Sequence, residues 1–214
     1  MAMISIKNLH FAYDNKGGYE KFNLDIVKGE KTIILGESGA GKTTLLKILA
    51  NLVEYKGEIL GMDYPVSMVF QNDRLVKNLT VKQNLQLVNK NADIDLALKD
   101  IGLFGYENAY IKTLSAGMKR RVAILRAMLF DADIMLLDEP FINLDLKLKF
   151  HVMDKIKERC ADKTVVLVTH DIKEAVYLAD RIIILKDRKI DFDIRVDSQN
   201  KEKLENILFE QMLK

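Results

Sequence analysis

The segment Gly36-Glu37-Ser38-Gly39-Ala40-Gly41-Lys42-Thr43 fits the pattern G-x-x-x-x-G-K-[ST]. Its setting is what constrains the fold. A short β-rich run, Lys31 to Leu35, precedes it, and a stretch with Leu45, Leu46, Ile48 and Leu49 at helical spacing follows. Strand, glycine loop and helix in that order turn backbone N–H groups inward around phosphate oxygens, and the helix N-terminus adds a favourable dipole. Lys42 then reaches the β- and γ-phosphates, and the Thr43 hydroxyl is a magnesium ligand. The pattern implies ATP or GTP bound on an α/β core.

The rest of the chain alternates in the same way. Ile134 to Leu137 and Thr164 to Val168 are unbroken apolar runs, as expected for strands buried on both faces, and each leads into a segment of helical periodicity. The expected fold class is therefore α/β, a phosphate-loop NTPase core with a mainly parallel sheet. The first 30 residues and Ile59 to Val69 read as antiparallel strands joined by Gly and Asn turns. Thr80-Val81-Lys82-Gln83 has capping-box form, Ile94 to Ile101 is amphipathic, and Ser115 precedes Val122, Leu125, Met128 and Leu129. Residues 73–125 are expected to form a helical lobe inserted into a single domain spanning 1–214, and Lys201 to Lys214 a terminal amphipathic helix packed on that domain.

Charge narrows the class of partner. With 33 basic against 31 acidic residues, interspersed along 214, the chain has no strong basic footprint for nucleic acid. A single cysteine, Cys160, excludes an internal disulfide and suggests a reducing compartment. The start of the chain lacks a signal-peptide pattern, and the apolar runs are far shorter than the roughly 18 residues that span a bilayer. The expectation is a cytoplasmic protein that meets a membrane only by docking.

Two further segments carry chemistry. Ile134-Met135-Leu136-Leu137-Asp138-Glu139-Pro140 puts two carboxylates at the carboxyl end of a buried strand, where open α/β sheets bind ligands. Asp138 suits the magnesium shell. Glu139 suits acceptance of a proton from an attacking water, a role worth about 10²–10⁴-fold. The segment Leu114-Ser115-Ala116-Gly117-Met118-Lys119-Arg120-Arg121 lies just before a helix, where small residues bring backbone donors against a phosphate. Taken alone, it reads as a Ser115 cap on a helix whose basic residues face water.

These three motifs in this order, with Gln71 and His170 interleaved, resemble the nucleotide-binding subunit of ATP-binding-cassette (ABC) transporters over essentially the whole chain. The resemblance implies roles. Gly36 to Thr44 matches the phosphate loop, with Glu37, Ser38, Gly39, Ala40, Gly41, Lys42, Thr43 and Thr44 around the triphosphate. Ile134 to Glu139 matches the strand of the magnesium ligand and catalytic base. Gln71 falls where the family senses magnesium and nucleotide, and His170 where it contacts the γ-phosphate. Leu114 to Met118 is similar to the family signature, with Ser115 and Gly117 facing the partner's ATP. Asn143-Leu144-Asp145 resembles the loop that crosses the dimer interface. Tyr13 sits where an aromatic residue stacks on adenine, with Phe11 as a neighbouring candidate.

Two departures accompany the match: Ala116 replaces the first signature glycine and Met118 the usual glutamine. The ending Gly117-Met118-Lys119-Arg120-Arg121 is similar to the nitrate, sulfonate and taurine importer branch. The resemblance thus implies an ATPase using ATP and Mg²⁺, pairing with a second ATPase subunit and an integral-membrane permease. A solute-binding protein would take part indirectly and nucleic acid not at all. The chain would then sit in the cytoplasm, peripheral on the inner face of the cell membrane. Two other classes stay open: a soluble ABC ATPase acting on nucleic acid or in translation, and a small phosphoryl-transfer kinase. Cys160, Met128, Met135 and Met153 read as packing residues.

Overall fold

A central strand flanked on both sides organises the molecule. In a computed structural model describing residues 2–12, 17–61, 63–197 and 201–213, β3 (Lys31–Leu35) pairs in parallel with β7 (Thr164–Thr169) and β8 (Arg181–Lys186). Beyond β7 lie β6 (Ile134–Asp138) and β5 (Val66–Val69), both parallel, and β9 (Lys189–Arg195) closes the other edge antiparallel. The six-stranded order is β5-β6-β7-β3-β8-β9. Period-2 alternation fills both faces, as the unbroken apolar runs require. Ile33, Leu35, Met135, Leu137, Val165 and Leu167 enter one core, while Ile34, Ile134, Leu136, Val166 and Val168 enter the other.

A second, antiparallel sheet covers the latter face. It holds β1 (Ala2–Ala12), β2 (Gly18–Val27) and β4 (Lys56–Leu60) in the order β2-β1-β4. Helix α1 (Lys42–Leu49) shares that core through Leu45, Leu46, Ile48 and Leu49. The expected antiparallel portion is thus present, with one correction. Val66–Val69 does not join it but pairs with β6 in parallel. The chain changes sheets after Leu60, so a segment that looks like half of a hairpin becomes the edge of the parallel sheet.

Between β5 and β6 come α2 (Val81–Gln86), α3 (Ile94–Asp100), a 3-10 turn at Ile111–Thr113 and α4 (Ala116–Leu129). The Thr80–Gln83 capping box forms as its spacing predicts, with the Gln83 N–H donating to Thr80 Oγ1 at 3.2 Å and the Thr80 N–H donating to Gln83 Oε1 at 2.9 Å. Buried Asn84 accepts from the Val76 N–H and donates to the carbonyls of Val76 and Thr80, replacing backbone partners that the short helix cannot supply. The lobe buries Val81, Leu85, Ala97, Leu98 and Ile101 against the core, and α4 runs beyond it to pack on β5. Helices α5 (Leu146–Arg159), α6 (Ile172–Leu178) and α7 (Lys201–Leu213) lie on the same side of the sheet. Leu204 and Leu208 of α7 are fully buried and the helix contacts α6, as expected of a terminal helix docked on its own domain. Met128, Met135, Met153 and Cys160 are core residues, and burial pushes the Cys160 thiol up. Among the described residues, no helix is long and apolar enough to cross a membrane.

Candidate functional site

The strand order delivers the motif residues side by side. At the carboxyl ends of β5, β6, β7 and β3 stand Gln71, Asp138 with Glu139, His170 and the phosphate loop. They surround a cavity of about 740 Å³ lined by Glu37, Ser38, Gly39, Gly41, Lys42, Thr43, Thr44, Gln71, Glu139 and His170. Open parallel sheets bind ligands at this edge because the strands' connections leave a crevice there.

The phosphate loop is braced from behind, by residues its motif does not contain. Tyr19, on β2, donates its hydroxyl to the Gly41 carbonyl at 3.1 Å, and the Arg188 N–H donates to the Ala40 carbonyl at 3.2 Å. Burial pushes the Tyr19 phenol up, so it stays a neutral donor. Lys42 curls back to donate to the carbonyls of Gly36 (2.6 Å) and Glu37 (3.0 Å). Burial lowers the Lys42 ammonium from its ordinary range, and the charges of Glu139 and Asp138 partly restore it. Two of the glycines are sterically required. A Cβ on Gly36 would lie 2.3 Å from the Leu185 carbonyl oxygen. Gly41 caps α1 at φ 105°, where a Cβ would lie 2.8 Å from the Tyr19 hydroxyl.

The acidic pair divides into two environments. Asp138 is 2% exposed and accepts from the Thr43 hydroxyl at 2.9 Å. Burial pushes its carboxyl up; the Thr43 bond opposes this, Glu139 adds to it and the Arg120 charge opposes it. These hard oxygens, with Gln71 on the same wall, match a magnesium ion held by one or two carboxylates and substrate phosphates. No cluster of three His, Cys, Asp or Glu side chains suited to a metal occurs among the described residues. Glu139 takes a left-handed φ of 47° while its N–H donates to the Val168 carbonyl at 3.0 Å. Its carboxylate oxygens lie 3.0 and 3.1 Å from His170 Nδ1 and 4.0 Å from Lys42 Nζ. An ionised carboxylate only accepts, so this contact requires the proton on Nδ1 and leaves Nε2 directed elsewhere.

The His170 turn is itself tied down. Thr169 Oγ1 donates to buried Glu174 at 2.6 Å, and Lys149 of α5 bridges Glu174 (2.6 Å) and Asp171 (3.0 Å). Burial pushes the Glu174 carboxyl up despite these partners, while Lys149 and the α6 N–H groups outweigh burial and hold Asp171 below the usual carboxylate range.

Not every expected residue joins the cavity. Ser115 accepts from the Met118 N–H at 3.3 Å as the α4 cap, and Asp145 from the Leu148 N–H at 3.0 Å as the α5 cap. Neither they nor Gly117 lines the cavity, and both Ser115 and Asp145 are exposed. Tyr13 lies outside the described residues, whereas Phe11 lines the cavity. Gly36, Ala40 and Asp138 are buried just behind its wall. The α4 basic face departs from expectation, because Arg120 is only 2% exposed and points into the protein. Its spacing with Ile124 and Ala127 on the buried stripe was a readable signal for this. Tyr19 and Arg188 carried no such local signal.

The ABC transporter family model matches residues 19–142. The chain belongs to the ABC transporter family. Members of this ABC family hydrolyse ATP, and this chain is an ATPase. It is similar to "Aliphatic sulfonates import ATP-binding protein SsuB 3" of Paraburkholderia xenovorans (strain LB400), at 36% identity over 98% of this chain and 87% of that protein. It is also similar to "Aliphatic sulfonates import ATP-binding protein SsuB 1" of Paracoccus denitrificans (strain Pd 1222), at 40% identity over 90% and 83% of the two chains. Among solved structures, the dimeric, post-hydrolysis ATP-binding cassette MJ0796 bound to ADP and Pi matches with a TM-score of 0.79 and 29% identity, over 91% of this chain and 99% of that one. In this ABC cassette, then, the phosphate loop, the acidic strand end, Gln71 and His170 share one cavity, while Ser115 and Ala116 lie exposed outside it.

Proposed function

We propose that this chain is the ATP-hydrolysing subunit of an importer, residues 1–214 acting as one cassette with the lobe inserted at 73–125. Two copies pair head-to-tail around two ATP molecules and drive a separate integral-membrane permease, supplied indirectly by a solute-binding protein. The named import functions of the relatives support the direction of transport. In this reading the protein works on the cytoplasmic face of the membrane, against its permease.

The observation that carries the proposal is the Glu139 carboxylate, at hydrogen-bond distance from His170 and 4.0 Å from Lys42, beside the Thr43–Asp138 pair. Lys42 exchanges its loop carbonyls for the β- and γ-phosphates, and the braced loop presents its N–H groups without rearrangement. Thr43, Asp138 and Gln71 would hold magnesium, which when bound would neutralise the charge developing on the phosphate oxygens. His170 orients the Glu139 carboxylate, which aligns the attacking water and takes its proton. Nε2, on the far side of the ring from Glu139, donates to the γ-phosphate only when it too carries a proton. Exposed Ser115 and half-buried Gly117 of one copy, at the N-terminus of α4, close over the ATP of the other. Asp145 caps the helix that begins at that same junction.

Glu139→Gln tests this directly. Turnover should fall by about 10²–10⁴-fold, the worth of a general base, while ATP binding persists and traps a dimer by size-exclusion chromatography. Hydrolysis at the wild-type rate in this variant removes Glu139 from the mechanism.

A further inference from the structure

Arg120 is buried in α4, five residues and so about 7.5 Å along the helix from the Ser115 cap. Its guanidinium is spent on backbone. Nη2 donates to the carbonyls of Asp138 (2.7 Å) and Glu139 (2.6 Å), and Nε to that of Pro140 (2.8 Å). Nη1 donates to the Phe70 carbonyl at 2.6 Å and to the Asp73 carboxylate at 3.2 Å. Three consecutive carbonyls of the turn after β6 therefore point at one side chain, and the segment leaving β5 points at it from the other side.

These carbonyls lie where strand pairing ends, so without a donor they would be buried and unsatisfied. Their convergence also explains how Glu139 can hold φ 47°. A non-glycine residue takes that conformation at a cost that the surroundings must offset. Only a planar fork of five fixed donors serves this many acceptors at once; a lysine presents a single ammonium.

We propose that Arg120 is a positioning residue for hydrolysis, aiming Glu139 and Gln71 at the bound ATP from the helix that carries the signature. This rests on the roles given to Glu139 and Gln71 above. Because α4 begins at Ser115 and Gly117, the same side chain ties the chain's own catalytic turn to the surface offered to the partner's nucleotide. Arg120 touches neither Lys42 nor the phosphate loop, so its effect belongs to the catalytic step and not to ATP capture.

The experiment compares Arg120→Lys and Arg120→Gln with wild type and Glu139→Gln in the full-length chain. It measures kcat and KM for ATP and, separately, ATP affinity by equilibrium binding. The expected result for both Arg120 variants is a kcat lower by roughly 10–100-fold, the cost of misplacing a catalytic group by about an ångström. KM and ATP affinity should stay within about 3-fold, since the loop is untouched. A kcat within 2-fold of wild type in either variant overturns the proposal. So does joint loss of turnover and ATP binding in both, which would make Arg120 a residue of folding alone. If Glu139→Gln itself hydrolyses ATP normally, the Glu139 reading fails on its own account, whatever the Arg120 variants do.

Discussion

The phosphate loop and the signature segment are both glycine-bearing turns at helix N-termini, yet they are built to opposite standards. The first is held by Tyr19, Arg188 and Lys42 through its own carbonyls, with its flanking strand and helix in the core. At the second, Ser115 and Ala116 are exposed on top of α4, and Ser115 spends its side chain on capping. A nucleotide meeting one copy finds a finished cradle on one side and nothing facing it on the other. In the proposed dimer the difference assigns each half its ligand, from solution for the phosphate loop and from a second copy for the signature segment.

Lys42→Ala should open the widest gap between the two halves. Removing one member of a buried, charge-assisted contact costs about 2–5 kcal/mol, so ATP affinity should fall by roughly 30-fold to several thousand-fold. ATP would then no longer raise the melting temperature of the variant, whereas the nucleotide-free fold should melt close to wild type. A variant still stabilised by ATP would mean that loop N–H groups alone capture the triphosphate.

Gly117→Ala should strike the other half. A Cβ there would lie 2.7 Å from the Asn143 carbonyl, in the loop preceding the Asp145 cap. Overpacking of this kind costs about 1–3 kcal/mol and should shift that loop, lowering turnover while one copy binds ATP as before. Equilibrium binding at low protein concentration, beside turnover at high concentration, separates the two. Equal losses in both would erase the contrast.

Phe11→Ala is a smaller test of the first half. Stacking on a base contributes about 1–3 kcal/mol, and a residue at the cavity mouth belongs at the low end of that range, near a 5–10-fold loss of ATP affinity with kcat unchanged. Unchanged affinity would remove Phe11 as the adenine contact.

The same contrast governs what could be read from residues alone. The phosphate loop and Asp138–Glu139 are contiguous motifs flanked by their own strands, so their chemistry and location are local facts. His170 and Gln71 follow strands, and their convergence with the loop depends on the order β5-β6-β7-β3, which no single segment encodes. Val66–Val69 escapes a sequence reading for the same reason, because a four-residue strand carries no record of which neighbour it will pair with. Tyr19 and Arg188 reach the loop from other elements, 22 residues before Gly41 and at the turn after β8. Arg120 is the instructive intermediate. Helical spacing put it on the apolar stripe, but reading arginine as a solvent-facing residue overrode the geometry that four carbonyls and the Asp73 carboxylate impose.

The narrowest effect is a pH dependence confined to the phosphate half. In the nucleotide-free protein, burial holds Lys42 below an ordinary lysine's 10.5. Between that lowered value and 10.5 the unfolded chain binds the proton that the folded one has released. The Lys42 contribution to stability therefore rises with pH across that window, having been a constant cost below it. ATP affinity runs the other way, since the triphosphate requires the charged ammonium, and should weaken as pH climbs through the lowered value. Ser115 and Gly117 carry no group that titrates there, so the signature half should contribute no slope. Equilibrium binding of ATP to Glu139→Gln between about pH 7 and 10 measures the effect without turnover. Adding Lys42→Arg should flatten the slope at whatever affinity remains, because a guanidinium keeps its proton throughout this range. A slope that survives the arginine would belong to another group and would break the assignment of this pH response to the phosphate loop.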